Sequence, residues 1–270
     1  LLPPWRVACL PWSRAIQPPH SGPPPPGEDA TPMRLGALFL VIATLSSAAA
    51  LAAVSLDHPC AWLGLWPATA FFVVGLGYLR FGARVFGKRD DGTLPASTRL
   101  LLLPYLLVAW GIWSLIRLGP ERCWDRVAPG VYLGRRPYPR ELPPDVKLVV
   151  DLTSEFARSI PKSSPIEYLC LPILDASMPS VSELDALVRR VAAHAGPVYI
   201  HCAQGHGRSA VVAGALLVSR GIARDALDAE SLMKSIRPGV HMSRLQRERL
   251  AAVTTLVQGS SLPSREPRDS

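Results

Sequence analysis

Long uncharged runs fill the first part of the chain, and shorter apolar runs separated by turns fill the rest, with the change near Pro120. Leu35 to Leu56 is a stretch of twenty-two positions without a charge. Coiled as a helix, such a run is about 30 Å long, which matches the hydrocarbon core of a bilayer. A second run extends from Ala61 to Leu79. A third, Leu100 to Ile116, is bracketed by Arg99 and Arg117 and contains Pro104 and Gly111. The pattern predicts transmembrane helices at about 35–56, 61–80 and 100–117, with Trp66, Tyr105, Trp110 and Trp113 suited to membrane interfaces. Two other readings exist: buried helices of a soluble all-α domain and, for the first run, a secretory signal ending in Ser46-Ser47-Ala48-Ala49-Ala50. The short link Asp57-His58-Pro59-Cys60 favours an uncleaved helical hairpin.

Beyond Pro120 the periodicity is that of an α/β domain. Val131-Tyr132-Leu133-Gly134, Lys147 to Leu152, Glu167 to Pro172 and Pro197 to Ile200 read as strands, the second by its continuous β-branched run. Ser180 with Glu183 three residues later forms a capping-box signature, preceding a helix that stops at Gly196-Pro197. Further helices are expected from Ser209 to Arg220, Arg224 to Ile236 and Ser243 to Val257. Strands alternating with helices predict an α/β fold: a central, mostly parallel sheet flanked by helices, over 121–258, preceded by a three-helix transmembrane region over 33–120.

Composition changes this picture at the ends. Residues 1–32 are crowded with proline and carry no periodic pattern, so a disordered extension is expected, with Met33 as the natural start. The polar tail 259–270 is expected to be disordered as well. The formal charge of +8 is spread along the chain, with no nucleic-acid motif, and suits anionic substrates or lipid surfaces. Basic residues flank the third apolar run on both sides, so the positive-inside bias ties for three spans; a re-entrant third segment would resolve the tie. A reactive thiol favours a reducing compartment, which places the catalytic domain on the cytoplasmic side. The five cysteines show no metal-ligand spacing.

One stretch carries chemistry. His201-Cys202-Ala203-Gln204-Gly205-His206-Gly207-Arg208-Ser209 lies between an apolar strand and a helix. Backbone N–H groups of such a turn converge on one point, and the helix dipole adds positive charge there. Gly205 and Gly207 let the amides of residues 203–208 approach an anion, while Arg208 offers a planar, two-pronged contact. The same field should lower the pKa of Cys202 and make it a nucleophile for phosphoryl transfer. Ser209 can donate to the sulfur when it leaves, and His201 is expected to brace the loop through backbone contacts. No metal or cofactor is called for.

These residues match the H-C-x-x-G-x-x-R-S/T loop, and Trp124 to Leu256 resembles the protein tyrosine phosphatase superfamily. The short domain, Arg237-Pro238-Gly239-Val240 and Gln246 resemble its dual-specificity branch. The resemblance implies a metal-independent phosphomonoesterase with Cys202 as nucleophile and Arg208 as phosphate binder. It also implies a general acid upstream, for which Asp175, at the end of a strand, is the first candidate and Asp151 the competitor. In relatives acting on phosphoinositides, extra basic loop residues help to hold the headgroup, a part that His206 could take. Substrates expected on this basis are phosphotyrosine or phosphoserine/threonine proteins. The alternatives are a phospholipid headgroup of the phosphatidylglycerophosphate or phosphoinositide type, or an inactive phosphate-binding membrane adaptor.

Overall fold

The computed structural model describes residues 31–58 and 60–261, with side chains as far as 258. Of the two ends expected to be disordered, 1–30 and 262–270 lie outside these residues, whereas Thr31 and Pro32 belong to the first helix and 259–261 continue the last helix, correcting the expectation there. Helix α1 spans Thr31–Ser55, four residues earlier at its start than the apolar run suggested. After a tight turn the chain returns as a helical run, Ala61–Phe86, whose regular part is α2, Leu65–Leu76. Both runs are long and apolar enough to cross a membrane. Helix α1 leaves much of its apolar surface uncovered: Leu38, Val41 and Leu45 are each more than half exposed. An uncovered apolar face of that size suits a lipid or protein surface.

The expected third span is corrected. Leu102 (φ −93°, ψ 6°) interrupts the third apolar run, dividing it into α3, Ala96–Leu101, and α4, Leu103–Ile116. Pro104 sits in the first turn of α4, where its missing N–H costs nothing, so a new helix starts there. With 14 residues α4 is about 21 Å long, short of the bilayer core. Both flanks of the α3–α4 pair touch the following domain. Lys88 Nζ lies 2.8 Å from Asp151 Oδ2, and Arg117 lies 2.6 Å from Glu141. The pair therefore leaves from and returns to the same side.

The second half is built on a five-stranded sheet in the order β1-β2-β5-β3-β4. Strands β1 (Trp124–Ala128) and β2 (Val131–Arg135) form an antiparallel hairpin. The pairings of β2 with β5 (Val198–Cys202), β5 with β3 (Leu148–Thr153), and β3 with β4 (Glu167–Ile173) are parallel. Helices α5 (Val181–Ala192), α6 (Arg208–Ser219), α7 (Ala226–Ile236) and α8 (Arg244–Ser261) follow. Their apolar residues, Leu187, Val211, Met233 and Leu250 among them, join Val150, Ile200 and Cys202 in one core on one face of the sheet. The capping box at Ser180 and Glu183 forms as its spacing requires. Alternation along the strands sends Tyr132, Val149 and Tyr199 to the opposite face, where Val146 and Ile160 cover them.

Candidate active site

Strand β5 is central, so the loop that leaves it starts from the most enclosed part of the domain. Cys202, its last residue, is 3% exposed. Its Sγ accepts the Gly205 N–H at 3.2 Å and lies 3.3 Å from Ser209 Oγ. Gly205 has φ +80°, and a Cβ there would run into the backbone of Gly134 on β2. Only glycine satisfies both conditions. Gly207 is tight for another reason: a Cβ would stand 2.7 Å from the Gln246 side chain. Burial by itself pushes the Cys202 thiol up; the Arg208 charge and the hydrogen bonds from Ser209 and Gly205 outweigh it, so the pKa lies below the ordinary value.

Arg208 opens α6 and is almost wholly enclosed. Its terminal nitrogens donate to Glu155 Oε1 at 2.9 Å, to Glu155 Oε2 at 3.2 Å and to the Ile173 carbonyl at 2.8 Å. Asp175 Oδ1 lies 3.2 Å from the same guanidinium. Arg208 Nε is buried without a hydrogen-bond partner, so one donor of the guanidinium is left unspent. Asp175, Cys202, Gln204, Arg208 and Gln246 line one cavity of about 530 Å³, and Thr31, the first residue of α1, lines it too. The loop, Ser209 and Asp175 are thus brought together.

Three further residues stand around the loop. The competitor acid Asp151 is on the wrong face. Its side chain alternates away from Cys202 and is buried against Lys88, Thr153 and Tyr168. His206 turns its ring to Glu121, with Nε2 2.7 Å from a carboxylate oxygen, so the ring already has a partner. His201 is fully buried; Nδ1 lies 3.3 Å from the Cys202 carbonyl, and Nε2 has no hydrogen-bond partner. Burial outweighs the nearby Asp151 and lowers its pKa to about 4, so the ring is neutral at physiological pH.

Sequence reasoning missed two arginine contacts that shape this loop. Glu155 stands in coil just past β3 with no pattern to mark it, although its place beyond a strand's carboxyl end is where a crevice opens. Arg237, noted only within the Arg-Pro-Gly-Val stretch, is fully buried. It donates to the carbonyls of Gln204 and Gly205, each at 3.2 Å, and to Asp125 at 2.8 Å. It holds the outer side of the loop against β1.

Residues 141–260 match the family described as PTP-SAK, the Swiss Army Knife protein DSP-PTPase phosphatase domain. The chain carries a dual-specificity-type domain of the protein tyrosine phosphatase superfamily. Within that superfamily, the chain is 30% identical over 166 residues to the phosphatidylglycerophosphate phosphatase PTPMT1 of Arabidopsis thaliana, a match covering 56% of this chain and 47% of that protein. The chain therefore spans about half the length of this curated relative. Among solved structures, PTPMT1 in complex with PI(5)P is 21% identical, with 52% of this chain and 99% of that chain covered and a TM-score of 0.45. Tk-PTP in its active form is 28% identical, with 49% and 97% covered and a TM-score of 0.43. Human DUSP28 is 22% identical, with 50% and 95% covered and a TM-score of 0.42.

Proposed function

We propose that this protein is a membrane-anchored, cysteine-dependent phosphatase whose substrate is a phosphomonoester on a lipid headgroup. The observation that carries the reading is Thr31. The first residue of a helix fit to cross a bilayer lines the same cavity as Cys202. A phosphate at that cavity would be presented at membrane level, and confinement to the surface raises its effective concentration. The name of the curated relative, a phosphatidylglycerophosphate phosphatase, agrees with it.

In this mechanism the Cys202 thiolate attacks phosphorus and the bond from phosphorus to the leaving oxygen breaks, giving a cysteinyl phosphate. Arg208 Nε and the backbone amides of 203–208 hold the three non-bridging oxygens. Asp175, at the cavity wall, gives its proton to the leaving alkoxide. Water then attacks the cysteinyl phosphate, Asp175 takes a proton from it, and the thiolate leaves with Ser209 donating to the sulfur. Inorganic phosphate is released. The chain's topology fits a catalytic domain on the cytoplasmic side, because α3–α4 returns to the side it left. Lys88, Arg89, Arg117 and Arg122 then share one face, as the positive-inside bias favours.

The test is turnover of the full chain reconstituted in vesicles, with phosphatidylglycerophosphate, phosphatidylinositol 5-phosphate, a phosphotyrosine peptide and a phosphoserine peptide. A lipid should be preferred in kcat/KM by about tenfold or more, with Cys202→Ser inactive on all four. Equal or faster hydrolysis of either peptide would replace the lipid reading with a phosphoprotein one. Phosphate binding by wild type without turnover would make the protein an adaptor.

A further inference from the structure

Adjacent residues of one short turn have opposite environments. The Asp175 side chain is 68% exposed, whereas Leu174 is 3% exposed. Leu174 is buried in a cluster with Ala70, Val74, Phe86, Leu94, Leu102 and Leu106. All six belong to the N-terminal helical segment, and Leu174 is the only buried member of that cluster, among the described residues, from the phosphatase domain. On the other side of Asp175, Ala176 has φ +56°, a left-handed backbone that a residue with a side chain rarely adopts. The Ser177 N–H donates to the Leu174 carbonyl at 3.2 Å and closes the turn. The carboxylate thus stands on a tight corner whose foot is set in the helices' apolar core.

A second tie joins the same helices to the other partner of Asp175. Trp110 of α4 donates its indole N–H to the Glu155 carbonyl at 3.0 Å, and the Glu155 carboxylate grips Arg208. Exposure gives the Asp175 side chain little packing of its own. Its 3.2 Å approach to Arg208 therefore depends on where the helical segment seats Leu174 and Glu155.

We infer that the N-terminal helical segment positions the proton donor, with Leu174 as a positioning residue acting through Asp175. The segment is then part of the catalytic apparatus as well as an anchor. This rests on the reading of Asp175 as the acid. That acid matters when the leaving oxygen is a poor leaving group, such as an alkoxide, and hardly matters when it is 4-nitrophenolate.

The experiment compares phosphatidylglycerophosphate with 4-nitrophenyl phosphate for the full chain in detergent. Variants are Asp175→Asn, Leu174→Ala and Val74→Ala; the last lies in α2 and opens the same cluster from the helical side. Asp175→Asn should lower kcat on the lipid by about a hundredfold while nitrophenyl turnover falls far less. Leu174→Ala and Val74→Ala should give the same asymmetry at about tenfold. Equal loss on both substrates would mean general damage and would overturn the inference, as would unchanged lipid turnover beside an asymmetric Asp175→Asn. A symmetric Asp175→Asn would instead remove the acid reading itself.

Discussion

Arg208 and Glu155 meet as a two-pronged ion pair, 2.9 and 3.2 Å, almost entirely out of solvent. The guanidinium is thereby aimed before any substrate arrives, with Nε left over. Burial tends to raise the Glu155 pKa, but Arg208 holds it below the usual carboxylate value, so the pair stays charged. Such pre-setting spares the binding step the freezing of a long side chain. Glu155→Gln should keep most of the shape but lose the charge match. Vanadate affinity and kcat/KM should each fall about tenfold, with Glu155→Ala worse by several fold because it strands a buried arginine. Inhibition constants and steady-state rates on both variants check this.

The pKa of the Cys202 thiol is lowered by contributions that can be removed singly. Ser209→Ala deletes one donor to the sulfur and leaves Arg208 and the Gly205 amide in place. The rate of Cys202 alkylation by iodoacetamide should then rise with pH at a higher pH than in wild type. Turnover of the cysteinyl phosphate should slow, visible as a burst with 4-nitrophenyl phosphate. A pH profile identical to that of wild type would remove Ser209 from this role.

Lys88 and Asp151 bury opposite charges 2.8 Å apart with neither side chain exposed. Lys88 also donates to the Thr153 carbonyl at 2.7 Å. Removing one partner leaves a bare charge inside the protein, so Lys88→Met should cost about 3–5 kcal/mol of stability. Adding Asp151→Asn should recover most of that loss. Denaturation midpoints of the single and double variants in detergent make the comparison, and a double variant no better than Lys88→Met would contradict it.

His201 links stability to pH. Its folded pKa of about 4 lies below the ordinary 6.5, so the unfolded chain binds a proton that the folded one refuses. The stability it contributes is complete above about pH 6.5 and is lost as pH falls toward 4, by about 3 kcal/mol over that window. His201→Gln should flatten this part of the profile of Tm against pH. An unchanged slope would place the acid sensitivity elsewhere.

How much of this was readable beforehand depends on how local the signal is. The loop from His201 to Ser209 carries its chemistry in nine consecutive residues, and two glycines mark where backbone must approach backbone. Ser180 and Glu183 likewise signal to each other across one helical turn. Asp175 could be singled out by its place at a strand end, and it lies 3.2 Å from Arg208 at the cavity wall. Glu155, Lys88 and Leu174 act across gaps of 53, 63 and at least 68 residues respectively, and each is an ordinary residue for its surroundings in sequence. The third apolar run misled because hydropathy counts charges and not direction. Leu102 and Pro104 break it, and its two ends are claimed by the same domain.

The contact between Lys88 and Asp151 also sets an order of assembly. Chains emerge from the ribosome from the N-terminus onward, and α1 and the Ala61–Phe86 run leave it before β3 does. Lys88 is therefore synthesised before Asp151, and β3 can meet a cation that is already present in the chain. The phosphatase half made without the preceding residues would have to bury that carboxylate with no lysine to meet it. A gene cut at the apparent boundary near residue 120 would lose an internal counter-ion along with the two apolar helices.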